Sequence, residues 1–336
     1  MRVLHLLASN KYSGAENVVV TIMKNFTPET DMVYCSPIGD IQTILAEKNI
    51  NYLPLKKMSI KEIKRAVKEY KPDIIHAHDY KASVLAAYSG FKGKIISHLH
   101  NNTLFAKKWN FKTISYAISI PRFQKIVGVS ESVFNEAIFQ NQMKNKFTIL
   151  YNFVDAEEVI NKSNQYNWQK PYDLFFFGRL TEQKDPITFI NIVNQLKQQN
   201  PKISAVMIGD GELRKTCEKY IRELQLIDTI DMLGFVENPF PIIKNSAIQI
   251  MPSKYEGFGL VAIESMILNK PVLNSGVGGL GEIFQNNPEF ICHAEEQYVE
   301  KILNNIWQEQ TITAIIIPYT IKEKWKQQIK KIYHTD

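Results

Sequence analysis

Residues 247–266 read Ala247-Ile248-Gln249-Ile250-Met251-Pro252-Ser253-Lys254-Tyr255-Glu256-Gly257-Phe258-Gly259-Leu260-Val261-Ala262-Ile263-Glu264-Ser265-Met266. A short apolar run stopped by proline predicts a buried strand, and the apolar-rich run after Gly259 predicts a helix. Gly257 and Gly259 let the connecting backbone approach a ligand closely, and the first amides of the helix face an anion without needing a side chain. Seven residues separate Glu256 from Glu264, which on a helix is roughly two turns, about 10 to 12 Å, on nearly one face. That span suits one carboxylate on a transferred sugar and another on a ribose diol; a buried structural carboxylate or a surface charge is the plainer reading of either.

The same strand–helix alternation extends in both directions. Upstream in the second half lie Asp173–Phe177, Ser204–Ile208 and Ile230–Leu233, and downstream Pro271–Leu273. The first half offers Val3–Leu7, Asp73–His76, Ile95–Leu99 and Lys125–Val129, with amphipathic stretches such as Glu16–Lys24, Lys81–Tyr88 and Ser132–Phe139 between them. Strands separated by helices predict βαβ units and parallel sheets. With 336 residues, the expected architecture is α/β, two Rossmann-like domains. The polar, aperiodic segment Ala156–Pro171 places the boundary, giving domains 1–160 and 161–318. Trp325, Ile329 and Ile332 at helical spacing predict a final helix over 319–336 that buries one face by packing back onto the first domain.

Phe175-Phe176-Phe177-Gly178-Arg179-Leu180 is an apolar strand running into a loop that also carries Lys184. Asp185 and Pro186 then read as the N-cap and first residue of a helix. Arg179 and Lys184 therefore share a loop at the carboxyl end of a strand, where open α/β sheets bind ligands. A guanidinium fork and an ammonium point charge together suit a diphosphate, although a lone basic pair in a loop is also ordinary surface charge.

At this point the chain resembles the glycosyltransferases of family 4. Tyr255 to Glu264 is similar to that family's E-x7-E signature, and Arg179 and Lys184 match its phosphate-binding pair. Ser13-Gly14-Ala15-Glu16, His76-Ala77-His78, Gly128-Val129-Ser130, Asn152–Asp155, Gly209-Asp210-Gly211 and Gly276–Glu282 agree in order and spacing. The resemblance implies a GT-B fold, two Rossmann-like domains facing across a cleft, and retaining transfer of a hexose-type sugar from a nucleotide diphosphate sugar, a UDP-sugar being favoured. It implies that Glu264 binds the ribose, Glu256 the sugar hydroxyls, and Arg179 and Lys184 the diphosphate. Gly14, Gly209, Gly257, Phe258, Gly259 and Leu260 complete the donor site, and His100 stands beside the transferred sugar. Because His98 and His100 alternate on a strand, only one is expected to face the site. Ser13 replaces the first glycine of a common pair, Phe153 a glycine, and Gly281 the proline before Glu282.

Composition bounds the rest. Hydrophobic residues at 45% and charged residues at 22% describe an ordinary globular chain. The apolar runs Leu174–Phe177 and Ala314–Ile317 fall far short of a membrane-spanning helix, and Met1–Leu7 reads as a first strand and not a signal peptide. Three scattered cysteines predict buried thiols, a reducing cytoplasm and no structural metal. No Asp-x-Asp metal motif occurs, so the expectation is a metal-independent enzyme without cofactor. Residues 1–165 carry 22 Lys+Arg against 14 Asp+Glu, hence +8, and the remainder 18 against 20, hence −2. The basic half suits an anionic membrane surface, a lipid-linked phosphate or nucleic acid, or is plain solvated surface. Lys56–Arg65 and Lys107–Lys112 mix basic and apolar residues, fitting either an anionic bilayer or helices packed on the sheet. The expected acceptor is lipid-linked or a glycan in bacterial surface polysaccharide synthesis, with the enzyme in the cytoplasm or peripheral on the inner face of the membrane. A sugar-nucleotide epimerase and a catalytically silent GT-B partner subunit are the alternatives. A nucleic-acid binder lacks any reading motif.

Overall fold

The computed structural model describes residues 1–102, 104–304, 315–316 and 318–334. Residues 314 and 317 of the apolar run 314–317, and 335–336 of the expected final helix, lie outside the described residues. The chain divides into two compact units, Met1–Phe153 with Lys322–Asp336, and Val154–Ile321.

The first unit holds seven parallel strands: β1 (Arg2–Leu6), β2 (Asp31–Pro37), β3 (Tyr52–Leu55), β4 (Ile74–His78), β5 (Lys94–Leu99), β6 (Lys125–Gly128) and β7 (Phe147–Ile149), in the order β3-β2-β1-β4-β5-β6-β7. Strands β2, β3 and β7 are additional to those expected. Pro54 hides β3, and a proline without an amide donor is tolerated there because β3 is the sheet edge. The central strands are buried almost throughout, as both-faces-covered parallel strands must be. The helix Lys322–His334 belongs to this unit: Trp325 packs on Phe26 and Phe153 with centroids 6.5 and 5.1 Å apart, and Ile329 and Ile332 are buried.

The second unit is a five-stranded parallel sheet of β8 (Tyr172–Phe177), β9 (Ala205–Ile208), β10 (Ile230–Gly234), β11 (Ser246–Met251) and β12 (Val272–Asn274), ordered β10-β9-β8-β11-β12. Ala156–Ser163, inside the segment read as aperiodic, is a helix. Asp155 caps it by accepting the Glu158 amide, and it joins the second unit by packing on the helices Phe240–Lys244 and Leu260–Ile267. Its buried face is only Val159 and Ser163, too little apolar content to register as a period. In each sheet the order reverses beside the first strand, at β1/β4 and at β8/β11, and the crevice at such a reversal is where open sheets bind ligands.

Candidate active site

In the second unit, the loops after β8 and β11 bring Arg179, Lys184 and Glu256 together at the reversal point. Lys184 Nζ donates to Glu256 Oε2 at 2.5 Å, with only 12% and 11% of the two side chains exposed. Ser253 Oγ donates a long hydrogen bond to the same oxygen at 3.5 Å. Gln183, missed by the sequence reading because no motif marks it, joins the two loops. Its Oε1 accepts from Arg179 Nη2 at 3.3 Å, its Nε2 donates to the Tyr255 carbonyl at 3.1 Å, and its own carbonyl accepts the Lys254 amide at 2.8 Å. The exposed Arg179 is thereby steered by a buried amide.

Asp185 stands at the N-cap and Pro186 opens the helix, as expected, but the Asp185 side chain makes no capping bond to the helix backbone. Its backbone is left-handed (φ 49°) and its carboxylate accepts from Thr188 Oγ1, so Pro186 opens the helix without a side-chain cap. The expectation that Glu256 and Glu264 share a helix face is corrected. The helix is Leu260–Ile267, so Glu264 lies on it while Glu256 lies in the loop before it. Gly259 sits at the N-cap with φ 105°, a conformation that disfavours a side chain, and its unwound backbone is what separates the two carboxylates. Gly257 and Leu260 flank this turn, and the Phe258 ring is buried against Tyr319 at 5.2 Å, leaving its backbone alone to meet a ligand. A Cβ on Gly209 would lie 1.9 Å from the Gly178 carbonyl oxygen, so the loops after β8 and β9 touch through backbone there.

In the first unit, Gly14 is exposed at the start of the helix Gly14–Phe26, where Ser13 Oγ donates to Glu16 Oε2 at 2.5 Å. His100 follows β5, but it does not stand apart from His98. Strand period two puts residues i and i+2 on one face, so both point the same way, with rings stacked 4.1 Å apart. The register adds more: His5 pairs with His76 across β1/β4, and His78 with His98 across β4/β5. Five of the seven histidines thus share one face. His5 Nδ1 meets His78 Nε2 at 3.0 Å, His78 Nδ1 meets His100 Nε2 at 2.8 Å, His76 Nε2 meets His98 Nδ1 at 3.2 Å, and His76 Nδ1 meets the Tyr333 hydroxyl at 3.0 Å. Burial disfavours the charged ring throughout, lowering His5 to about 3 and His100 to about 4, and holding His76, His78 and His98 well below the ordinary value. Asp79, in a left-handed conformation (φ 64°), accepts the His100 amide at 3.0 Å, and burial pushes its carboxyl up to about 6. The repeated His-x-His at 76–78 and 98–100 was the available signal for this cluster.

Residues 13–158 match the model described as Glycosyltransferase Family 4, and residues 158–316 match Glycosyl transferases group 1. The O-antigen biosynthesis glycosyltransferase WclY of Escherichia coli is 23% identical over 84% of this chain and 82% of its own. An α-1,4-N-acetyl-D-galactosaminyltransferase of Campylobacter jejuni acting on an undecaprenol-linked glycan is 23% identical over 99% of both. An uncharacterized glycosyltransferase of Methanocaldococcus jannaschii is 27% identical, and the chain spans only 58% of it. Anabaena HepE, solved with UDP and glucose, superposes with a TM-score of 0.85 over 99% of both chains at 20% identity. The chain is a glycosyltransferase of the family 4 kind. Its fold is GT-B.

In the transferase, Glu264 is half-buried, and burial pushes its carboxyl up to about 7, against weaker lowering by Lys162 and Lys184. The folded chain then holds that proton longer than the unfolded chain, whose carboxyl titrates near 4.5. The proton-linked stability is present below the unfolded value and is lost as pH rises towards about 7. Because the buried neutral histidines raise the stability of both proteins as pH climbs through the same window, urea unfolding of the ligand-free chain is expected to show wild type losing stability relative to Glu264→Gln between about pH 4.5 and 7. Equal slopes in the two proteins would remove burial as the cause.

Proposed function

We propose that the transferase moves a hexose-type sugar with retention from a nucleotide diphosphate sugar, a UDP-sugar being favoured, to a hydroxyl of a lipid-linked or glycan acceptor in bacterial surface polysaccharide synthesis. The observation that carries this reading is the convergence of Arg179, Lys184 and Glu256 at the β8/β11 reversal, above the first amides of the helix Leu260–Ile267. A diphosphate placed against the two cations and those amides is neutralised as it leaves, by groups already oriented. Glu264, on that helix, takes the ribose diol, and Glu256 takes the sugar hydroxyls once Lys184 is shared with the phosphate. The acceptor oxygen forms its bond to the anomeric carbon on the face from which the diphosphate departs, and a diphosphate oxygen takes the hydroxyl proton. Relatives named for O-antigen synthesis and for an undecaprenol-linked glycan, and a neighbour solved with UDP and glucose, support the donor and acceptor classes.

The first unit carries features suited to an acceptor with an apolar carrier. A cavity of about 540 Å³ is lined by Met58, Tyr80, Val84, Leu85 and Phe111, with Lys81 and Lys112 also at its wall. The helix Phe111–Ser119 leaves Phe111, Ile114 and Ile118 exposed, beside exposed Trp109 and the lysines at 107, 108 and 112, a composition that favours peripheral contact with an anionic inner membrane surface. The other basic segment is different: Ile63 and Ala66 are buried, and Arg65 pairs with Glu62 and Glu69, an ordinary packed helix. Among the described residues no helix is long and apolar enough to cross a membrane.

Release of the nucleoside diphosphate from a panel of nucleotide sugars, with and without lipid-linked and free glycan acceptors, tests the reading. Acceptor-dependent release with an α-linked product from an α-linked donor is expected; donor turnover independent of any acceptor would favour an epimerase instead. Because side chains and amides neutralise the diphosphate, turnover is expected to persist in excess EDTA. Loss on chelation with recovery on adding Mg²⁺ would contradict it.

A further inference from the structure

Transfer chemistry engages at most one of the five histidines clustered in the first unit, and three of their ring nitrogens, His5 Nε2, His98 Nε2 and His100 Nδ1, are buried without a hydrogen-bond partner. Buried polar atoms left unsatisfied are uncommon and call for a reason. We propose that His78, His98 and His100 bind a first-row transition-metal dication of the zinc, cobalt, nickel or copper class through their ring nitrogens. Each of the three offers a nitrogen within 4.8 Å of the others, and imidazole is a preferred ligand for these ions.

For two of the three ligands the outer nitrogen already has a partner for its proton, while the proton shared between His78 Nδ1 and His100 Nε2 would pass to the outer nitrogen of His100 as the ion enters. A neutral ring that gives one nitrogen to a metal keeps its proton on the other, and that outward N–H needs an acceptor. His78 has one in His5 Nδ1 and His98 has one in His76 Nε2, and His76 is itself steadied by the Tyr333 hydroxyl. Two of the three ligands therefore have an outer shell of imidazoles, while Glu16 and Asp79 bring negative charge towards His100. The remaining adjustments are small. His78 Nδ1 and His100 Nε2, 2.8 Å apart, would open to about 3.3 Å around a tetrahedral ion with bonds of about 2.0 to 2.1 Å. The His98 ring, 30° from parallel with His100, would turn to aim its unpartnered Nε2 inward. The alternative triad His5–His76–His78 is buried on every member, whereas His100 is half-buried and gives an ion a way in.

The test reads binding directly and does not depend on the transfer reading. The full chain, stripped by chelator and desalted, is titrated with Co²⁺ while visible d–d absorption is followed, and zinc retained after desalting is measured separately. One Co²⁺ per chain is expected, displaced by one Zn²⁺. His98→Gln should weaken binding about a hundredfold, and His76→Gln, which removes only an outer contact, about tenfold. A His293→Gln/His334→Gln double variant should bind as wild type. His100→Gln repeats the ligand test should His98→Gln fail to fold, as judged by circular dichroism. Absence of stoichiometric Co²⁺ binding, unchanged affinity in the folded ligand variant, loss in the double variant, or loss in His76→Gln with His98→Gln unaffected would each overturn this site.

Discussion

Arg179→Ala and Lys184→Ala are each expected to weaken binding of the nucleoside diphosphate about tenfold to a hundredfold, since each removes a charge-assisted contact worth roughly 1.5 to 3 kcal/mol. The two variants should differ in stability. Arg179 is exposed and its polar tether is to Gln183, so its loss leaves the fold as it was. Lys184 neutralises Glu256 where both side chains are nearly nine-tenths covered. Removing the ammonium strands a carboxylate in a poorly solvated place, at a cost of roughly 3 kcal/mol. Titration calorimetry with UDP, beside thermal unfolding, separates the effects. A further variant, Lys184→Met with Glu256→Gln, should recover most of the stability and none of the affinity. Unchanged UDP affinity in both single variants would remove the diphosphate from this loop.

The placement of that loop was legible because its determinants are local. Phe175–Phe177 is an apolar run closed by glycine, and Ile248–Met251 is one closed by proline, so strand ends and ligand loops announce themselves. What failed to show in the sequence depended on partners far along the chain. Tyr52–Leu55 is a strand only because it adds to the outer edge of β2, and Phe147–Ile149 only because it adds to β6. Gln183 has an ordinary polar side chain until Tyr255, some seventy positions on, supplies a carbonyl for it. The histidines show both limits. Their His-x-His spacing was visible, and period two alone puts both members on one face, yet joining His5 to His78 requires knowing that β1 lies beside β4. The Glu256–Glu264 spacing misled for a related reason. A count of residues becomes a distance only when the element is continuous, and Gly259, in a left-handed conformation, interrupts it.

That interruption gives the two carboxylates separable duties, and their amide variants should show different phenotypes. Glu264 is carried on the helix; if, as proposed, it holds the ribose, which nucleoside diphosphate and sugar nucleotide share, Glu264→Gln should weaken both about equally, by roughly tenfold. The proposed partner of Glu256 is the transferred sugar, which the nucleoside diphosphate lacks. In the unliganded site its carboxylate is bound to Lys184 and steadied by Ser253, and donor binding has to share that lysine with the phosphate. Glu256→Gln should then leave UDP affinity unchanged, or raise it slightly as Lys184 is freed. Its kcat should fall by about a hundredfold or more, because a charged acceptor at the sugar hydroxyls gains strength as positive charge develops on the ring. Glu256→Gln also leaves Lys184 without its counter-charge, so thermal unfolding must accompany the kinetics to show that the fall in kcat is not lost protein. Calorimetric titration of both variants with UDP, and turnover with the cognate donor, decides the assignment. The same pattern in both would refute the division of roles, and full activity in both would take the carboxylates out of the reaction.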